Sequence, residues 1–196
     1  MYIIDKELLN SLSEEAKQSP RKRKNYNFHP TLDDPINRML NAIEPGSYAQ
    51  PHKHENPDKR EVFIILRGKV AAFFFDNEGN ITDRIILDKE KGVFGVEVAP
   101  RKWHSIMSLD QDSVVYEIKD GPYNVQNDKI FAPWAPIEGT KEVVEYLDFF
   151  LQLKILIFQE GAFAYPEGRP RDTNHRLSVG GRSVAILLIR SLQADG

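Results

Sequence analysis

Turn-forming residues recur about every eight to twelve positions between residues 37 and 136, and this spacing limits the fold more than any other feature of the chain. Pro45-Gly46 is one such turn, and the segments between turns are short and rich in Val, Ile and Phe. Short strands at this spacing are typical of an all-β sandwich or barrel. The predicted strands are Arg38 to Ile43, Arg60 to Arg67, Lys69 to Phe75, Ile81 to Leu87, Gly92 to Val98, Trp103 to Met107 and Ser113 to Lys119.

The segments that flank the predicted strands differ from them in pattern. A helix is predicted from Ile4 to Gln18, because its apolar residues fall at helical spacing, with Asp5 as the N-cap. Residues 141–158 fit a helix or, from Leu153 onward, a strand equally well. We therefore expect an N-terminal helix and basic segment at 1–36, a β domain at 37–140 and a C-terminal extension of uncertain structure at 141–196.

The composition excludes several classes of function. The 26 Lys and Arg are outnumbered by 29 Asp and Glu, so the chain is a poor candidate for nucleic-acid binding. There is no Cys, which excludes disulfides, Cys-ligated zinc, Fe–S clusters and thiol nucleophiles. No apolar run is long enough to span a membrane, and the first twenty residues do not form an export signal. We therefore expect a cytoplasmic protein whose metal ligands, if any, are His and carboxylates.

Three His and one Glu in the β region form a possible metal site. His52 and His54 are separated by one residue, so on an extended chain both side chains point to the same side. Glu61 begins the next apolar segment, and His104 follows Trp103 near another turn. This donor set suits Zn, Fe, Mn, Co or Ni as divalent ions. A His pair of this kind alone is a weak signal, because most His residues are structural.

These residues also carry a family resemblance. Gly46, His52-x-His54, Glu61 and Gly68 resemble the first motif of the cupin superfamily, and Gly95, Pro100 and His104 resemble the second. The strings SPRKRKNYNFH, NAIEPGSYAQPHKH, EVFIILRGKV, FFFDNEGNI, VAPRKWHSI, EIKDGPY and FAPWAPIEG are similar to the WbuC family of cupin-fold metalloproteins over about residues 1–140.

The resemblance implies an all-β cupin fold, a double-stranded β-helix or jelly-roll barrel. It further implies metal ligands His52, His54, Glu61 and His104 in the barrel mouth, and an association with bacterial O-antigen or capsule gene clusters. The chain departs from the family pattern in having six residues, 55–60, between His54 and Glu61, which is more than usual. Whether Glu61 contacts the metal directly or through water is therefore left open.

Three arginines are candidates for binding an anionic part of a substrate. Arg21 and Arg23 belong to the run Arg21-Lys-Arg-Lys24, and Arg38 lies at the start of a predicted strand. A guanidinium group offers a planar set of donors that matches phosphate or carboxylate. The alternative is that the basic run is a solvated face, which is the common role of such runs.

Three further residues are candidates for catalysis or substrate binding. His29 could act as a general acid or base, or be a hydrogen-bonded structural residue. Tyr123 could donate to a substrate oxygen. Trp103 could stack on a sugar ring, although a Trp in a small barrel is more often part of the core.

Together these features predict a metal-binding cupin acting on a sugar or sugar nucleotide, with an isomerase-like or epimerase-like reaction. Two alternatives remain open: an Fe(II)-dependent dioxygenase, which uses the same ligand types, and a non-enzymatic sugar-binding or regulatory module. A homodimer is expected, because the apolar segments of the C-terminal extension need burial.

Overall fold

The computed structural model describes the backbone of residues 1–159 and the side chains of residues 1–150. Residues Met1–Phe150 form one compact unit. The rest of the predicted C-terminal extension, residues 160–196, lies outside the described residues.

Ten strands and two α-helices make up the described part of the chain. The helices are α1 (Lys6–Gln18) and α2 (Glu142–Gln159). The strands are β1 (Arg23–Asn27), β2 (Ile36–Ile43), β3 (His52–Lys53), β4 (Glu61–Arg67), β5 (Val70–Phe75), β6 (Ile81–Leu87), β7 (Gly95–Val98), β8 (Trp103–Ser108), β9 (Ser113–Asp120) and β10 (Ile130–Phe131).

The strands form two five-stranded sheets in which every pairing is antiparallel. The strand order is β1-β2-β9-β4-β7 in the first sheet and β10-β3-β8-β5-β6 in the second. Strands distant in sequence are thus neighbours, as in a jelly roll. The predicted all-β jelly-roll barrel with a short N-terminal helix is confirmed.

The inner faces of the strands divide the barrel into an apolar part and a polar part. Phe63 and Ile65 of β4 pack with Val70, Phe74 and other buried apolar side chains in one core cluster. Side chains two residues apart on a strand share a face, so Glu61 lies on the same inner face as Phe63. Because inward and outward side chains alternate along β4, the buried carboxylate of Glu61 lies next to the apolar core cluster.

Helix α1 packs on the outer face of the first sheet. Leu12 and Ala16 of the helix are buried against Leu40 and Ala42 of β2. The Asp5 side chain accepts a hydrogen bond from the Leu8 N–H at 2.9 Å, which confirms the predicted N-cap.

Three strands were not predicted, and each has a local reason. β1 begins in the basic run and has four exposed residues, so its sequence shows no alternation of apolar and polar residues. β3 and β10 have two residues each, which is too short for any periodicity.

The segment that fitted either a helix or a strand is a helix, α2. Its residue Phe150 is buried and packs against Phe73 of β5 with ring centroids 4.7 Å apart. Among residues 1–159, no helix is long and apolar enough to cross a membrane.

Candidate metal centre

Four buried side chains, three on strands and one directly after a strand, meet inside the barrel. His52 and His104 are directly paired across β3 and β8, His54 follows β3, and Glu61 begins β4 of the other sheet. One ligand atom from each of the four lies within 4.8 Å of the other three. The exposed fractions are 6% for His52, 2% for His54 and 1% for both Glu61 and His104. The structure therefore brings together all four residues that were predicted as metal ligands.

Backbone carbonyl groups orient the three imidazoles. Each Nδ1 lies within hydrogen-bond distance of a carbonyl oxygen: Gln50 for His52 (3.0 Å), Asp128 for His54 (2.5 Å) and Lys102 for His104 (2.9 Å). Because a carbonyl oxygen only accepts, each Nδ1 carries the proton and each Nε2 is left with a free lone pair. This is the arrangement in which metal-binding His residues are usually held.

The Nε2 atoms converge on the carboxylate of Glu61. Glu61 Oε2 lies 2.8 Å from His104 Nε2 and 3.4 Å from His54 Nε2. His52 Nε2 is buried and has no hydrogen-bond partner among the described residues. With the proton on Nδ1, these atoms are all acceptors, and acceptors at such distances repel unless a proton or a cation lies between them. The residues present thus fit a bound divalent metal ion.

The protonation states also suit metal binding. Burial lowers the pKa of His52 well below its usual range, so its imidazole is neutral. Burial alone would raise the pKa of Glu61, but the adjacent His104 and His54 side chains outweigh it and hold the pKa well below its usual value. A neutral imidazole and an ionised carboxylate are the forms that bind metals.

Glu117 is a buried site residue that sequence reasoning missed. It lies on β9, accepts a hydrogen bond from the Asn41 side chain and is hydrogen-bonded to Glu61. Burial, followed by the negative charge of Glu61, raises the pKa of Glu117 to about 8. The alternation of side chains along a strand could have revealed it. Glu117 and Lys119 are two and four residues after Val115, an inward-facing apolar residue, so they share its face of the sheet.

A cavity of about 730 Å³ opens onto three of the four clustered residues. His52, Glu61 and His104 line it, as do the predicted site residues His29 and Tyr123. Nδ1 of His29 is held by the Arg38 backbone, 3.2 Å from its nitrogen and 3.1 Å from its oxygen. The functional roles predicted for His29 and Tyr123 remain predictions.

Arg21 and Arg23 line the same cavity and share one carboxylate. Arg21 donates to Glu138 through Nε and Nη2 at 2.7 Å each, and Arg23 Nη2 donates to the same carboxylate at 2.8 and 2.9 Å. Burial opposes ionisation of Glu138, but the two guanidinium groups outweigh it and lower its pKa. The two arginines that were predicted to bind an anionic group of a substrate are thus paired with a carboxylate of the protein itself.

Arg38 and Trp103 are outside the residues that line this cavity. Arg38 lies 3.5 Å from Asp34 in an ion pair at the surface. Trp103 is adjacent to His104 on β8 and therefore points to the opposite face, where its Nε1 donates to Asn77 at 3.0 Å. Substrate binding by these two residues stays a prediction.

Comparison with known proteins gave one family and several structures. The chain matches the model of a domain of unknown function, DUF6016, over residues 4–87, which is less than half of its length. No curated protein matches the sequence.

The solved structures similar to this chain include three cupin-type proteins. KdgF from Halomonas sp. is 16% identical, with a TM-score of 0.39 over 53% of this chain and 82% of that one. The capsular polysaccharide assembling protein CapF from Staphylococcus aureus is 23% identical, with a TM-score of 0.46 over 55% of this chain and 28% of CapF. A cupin superfamily protein from Desulfitobacterium hafniense is 15% identical, with a TM-score of 0.40 over 50% and 76% of the two chains. This chain thus spans less than a third of CapF.

Proposed function

We propose that this protein is a metal-dependent cupin that binds a sugar or sugar nucleotide and catalyses an isomerase-like or epimerase-like step in O-antigen or capsular polysaccharide synthesis. The observation that carries the metal assignment is the buried Nε2 atom of His52, which lacks a partner among the described residues beside two Nε2 atoms that face a carboxylate. The polysaccharide pathway, the cytoplasmic location and a homodimeric assembly are supported by sequence alone.

His52, His54, Glu61 and His104 would hold the metal. Three imidazoles and one carboxylate suit Zn, Fe, Mn, Co and Ni. When bound, such an ion supplies Lewis-acid polarisation of a carbonyl oxygen or a pair of hydroxyl groups.

The cavity has the size and the polar groups for a sugar-like ligand. Its volume of about 730 Å³ falls within the range of about 300–1,000 Å³ that is usual for small-molecule sites. His29 keeps Nε2 available because its Nδ1 is held by the backbone, and Tyr123, which also lines the cavity, carries a hydroxyl group that can donate. An anionic group of the ligand would bind Arg21 and Arg23 by displacing Glu138.

The experiment is metal analysis of the purified full chain and of the double variant His52→Ala/His54→Ala. We expect close to one divalent ion per wild-type chain and almost none in the variant. His29→Ala is the matched control, since His29 lines the cavity but lies outside the four clustered residues. Metal content that is unchanged in the double variant would exclude this site.

Turnover separates the three functional classes. Metal-loaded protein incubated with a panel of sugars and sugar nucleotides should convert one of them to an isomer, observed by NMR. Oxygen consumption by the iron-loaded protein would favour a dioxygenase instead, because the same ligands serve Fe(II). Ligand binding without conversion would favour a sugar-binding or regulatory module.

A further inference from the structure

Three charged side chains beside the candidate metal centre are almost fully buried. Lys59 and Asp128 are each 2% exposed, and Lys119 is 3% exposed. Asp128 Oδ1 lies 2.8 Å from Lys59 Nζ, and Asp128 Oδ2 lies 2.5 Å from Lys119 Nζ. We call these three residues the clasp. Both buried ammonium groups depend on the Asp128 carboxylate for compensation of their charge, so the geometry is strongly held.

Lys59 connects two segments that are far apart in sequence. It belongs to residues 55–60, the connection between His54 and β4. Its ammonium group donates to Asp128 and also to the Pro122 carbonyl oxygen at 2.5 Å. This connection therefore places a buried lysine where it holds the segment that precedes β10.

The same segment supplies the acceptor for one of the three imidazoles. His52 and His104 donate to carbonyl groups two residues earlier in their own segments, so local backbone sets their orientation. His54 donates instead to the carbonyl of Asp128, 74 residues away. Its orientation depends on whatever holds Asp128 in place.

We propose that the clasp is a positioning device for His54, in which Lys59 fixes Asp128 so that the Asp128 carbonyl holds the His54 imidazole with Nε2 toward the metal. This inference rests on the proposed metal centre. Partners of this kind keep metal ligands in the correct tautomer and orientation, and their loss usually weakens metal binding by about 10- to 100-fold.

The first test needs no metal. In the metal-free full chain, the Nδ1–H proton of His54 should give a slowly exchanging NMR signal, because it is buried and hydrogen-bonded. Lys59→Met should abolish or shift that signal and leave those of the other two imidazoles in place. Arg60→Met is the control, since the neighbouring Arg60 is exposed and outside the clasp. A His54 signal that is unchanged in Lys59→Met would overturn the proposal.

The second test measures metal affinity by competition with a chromophoric chelator. Lys59→Met should weaken Zn²⁺ binding by about 10- to 100-fold and change the visible absorption of the Co²⁺-loaded protein, whereas Arg60→Met should do neither. In the His54→Ala background, Lys59→Met should cause no further loss, because it acts through His54. Full additivity of the two losses would contradict the proposal.

The two proposals can fail separately. Wild-type protein that binds no Zn²⁺ or Co²⁺ would overturn the metal centre, whereas wild-type binding with equal affinity in Lys59→Met would overturn only the clasp. Asp128→Asn repeats both tests if Lys59→Met does not fold. It keeps the carbonyl acceptor and removes the charge that holds both lysines.

Discussion

The Nε2 atom of His104 lies 2.8 Å from Oε2 of Glu61, and the two residues belong to different sheets of the barrel. A metal ion held by both side chains would therefore join the sheets as well as form a reactive centre. A ligand that binds only the folded state stabilises it by about 4 kcal/mol when present at 1,000 times its Kd.

We predict that Zn²⁺ raises the thermal unfolding midpoint of the wild-type chain and that a chelator reverses the increase. In Glu61→Gln the increase should be much smaller, since the variant loses the only carboxylate of the four clustered residues. Circular dichroism melts with and without metal measure it. Glu97→Gln is the control, because Glu97 is exposed on β7, next to β4. An equal increase in Glu61→Gln would show that Glu61 is not a ligand.

Much of the site could be predicted because strand geometry is local. The single residue between His52 and His54 was sufficient to place both side chains on one side of an extended chain. The position of His104 needed the cupin resemblance, since its pairing opposite His52 depends on how two distant strands align. The Asp128 carbonyl that holds His54 has no sequence signature, because any residue has a carbonyl group.

The fold was predictable where apolar and turn residues alternate, and less so elsewhere. β5 and β6 lie between the turns that were used to predict them. β1 is a polar strand without an apolar pattern, and it is recognised as a strand only by its pairing with β2. Glu117 was missed because a glutamate in a strand is usually interpreted as facing solvent. Only its position two residues after the inward-facing Val115 indicates that it faces the interior.

Gly68 joins β4 to β5 at a position that a side chain should not tolerate. Its φ is +72°, and an added Cβ would lie 2.8 Å from Ser113 Cα and closer still to Ser113 Oγ. We predict that Gly68→Ala destabilises the protein by the cost of positive φ, about 1–2 kcal/mol, plus about 1–3 kcal/mol for the clash. Urea denaturation measures the change in the free energy of unfolding.

Gly92→Ala is the matched control for Gly68→Ala. Its φ is +75°, yet an added Cβ would meet nothing within 4 Å. It should therefore show only the backbone cost of about 1–2 kcal/mol. Equal destabilisation of the two variants would mean that Ser113 moves away at no cost.

Leu40 should be essential for attaching α1 to the barrel. The side chain is fully buried between the helix and the first sheet, together with Leu12 and Phe28. We predict that Leu40→Ala lowers the free energy of unfolding by about 2–5 kcal/mol. Leu32→Ala, at a residue that is 56% exposed, should change it by no more than about 0.5 kcal/mol.

Metal content serves as the second measurement for Leu40→Ala. Leu40 faces α1, on the side of β2 opposite the cavity-lining Met39 and Asn41. The folded variant should therefore bind as much metal as the wild type. A variant that is stable but lacks metal would contradict this separation between the outer core and the site.

Glu138 should make the stability of the protein depend on acidic pH. Burial would raise its pKa, but Arg21 and Arg23 outweigh burial and lower it from the ordinary value of 4.5. Since the folded-state pKa is the lower one, ionised Glu138 stabilises the fold. That stabilisation is fully present above about pH 4.5 and is lost as the pH falls through the folded-state value.

The measurement is the difference in the free energy of unfolding between the wild type and Glu138→Gln from pH 7 down to pH 3. We expect the difference to be constant at neutral pH and to shrink as the pH falls from about 4.5 to the lower folded-state pKa. Below that pKa both proteins carry an uncharged side chain beside the two arginines. Glu145→Gln, at an exposed position on α2, is the control for the loss of one carboxylate. A difference that grows as the pH falls would mean that Glu138 is protonated more readily in the folded state, which is the opposite of what its two guanidinium partners should cause.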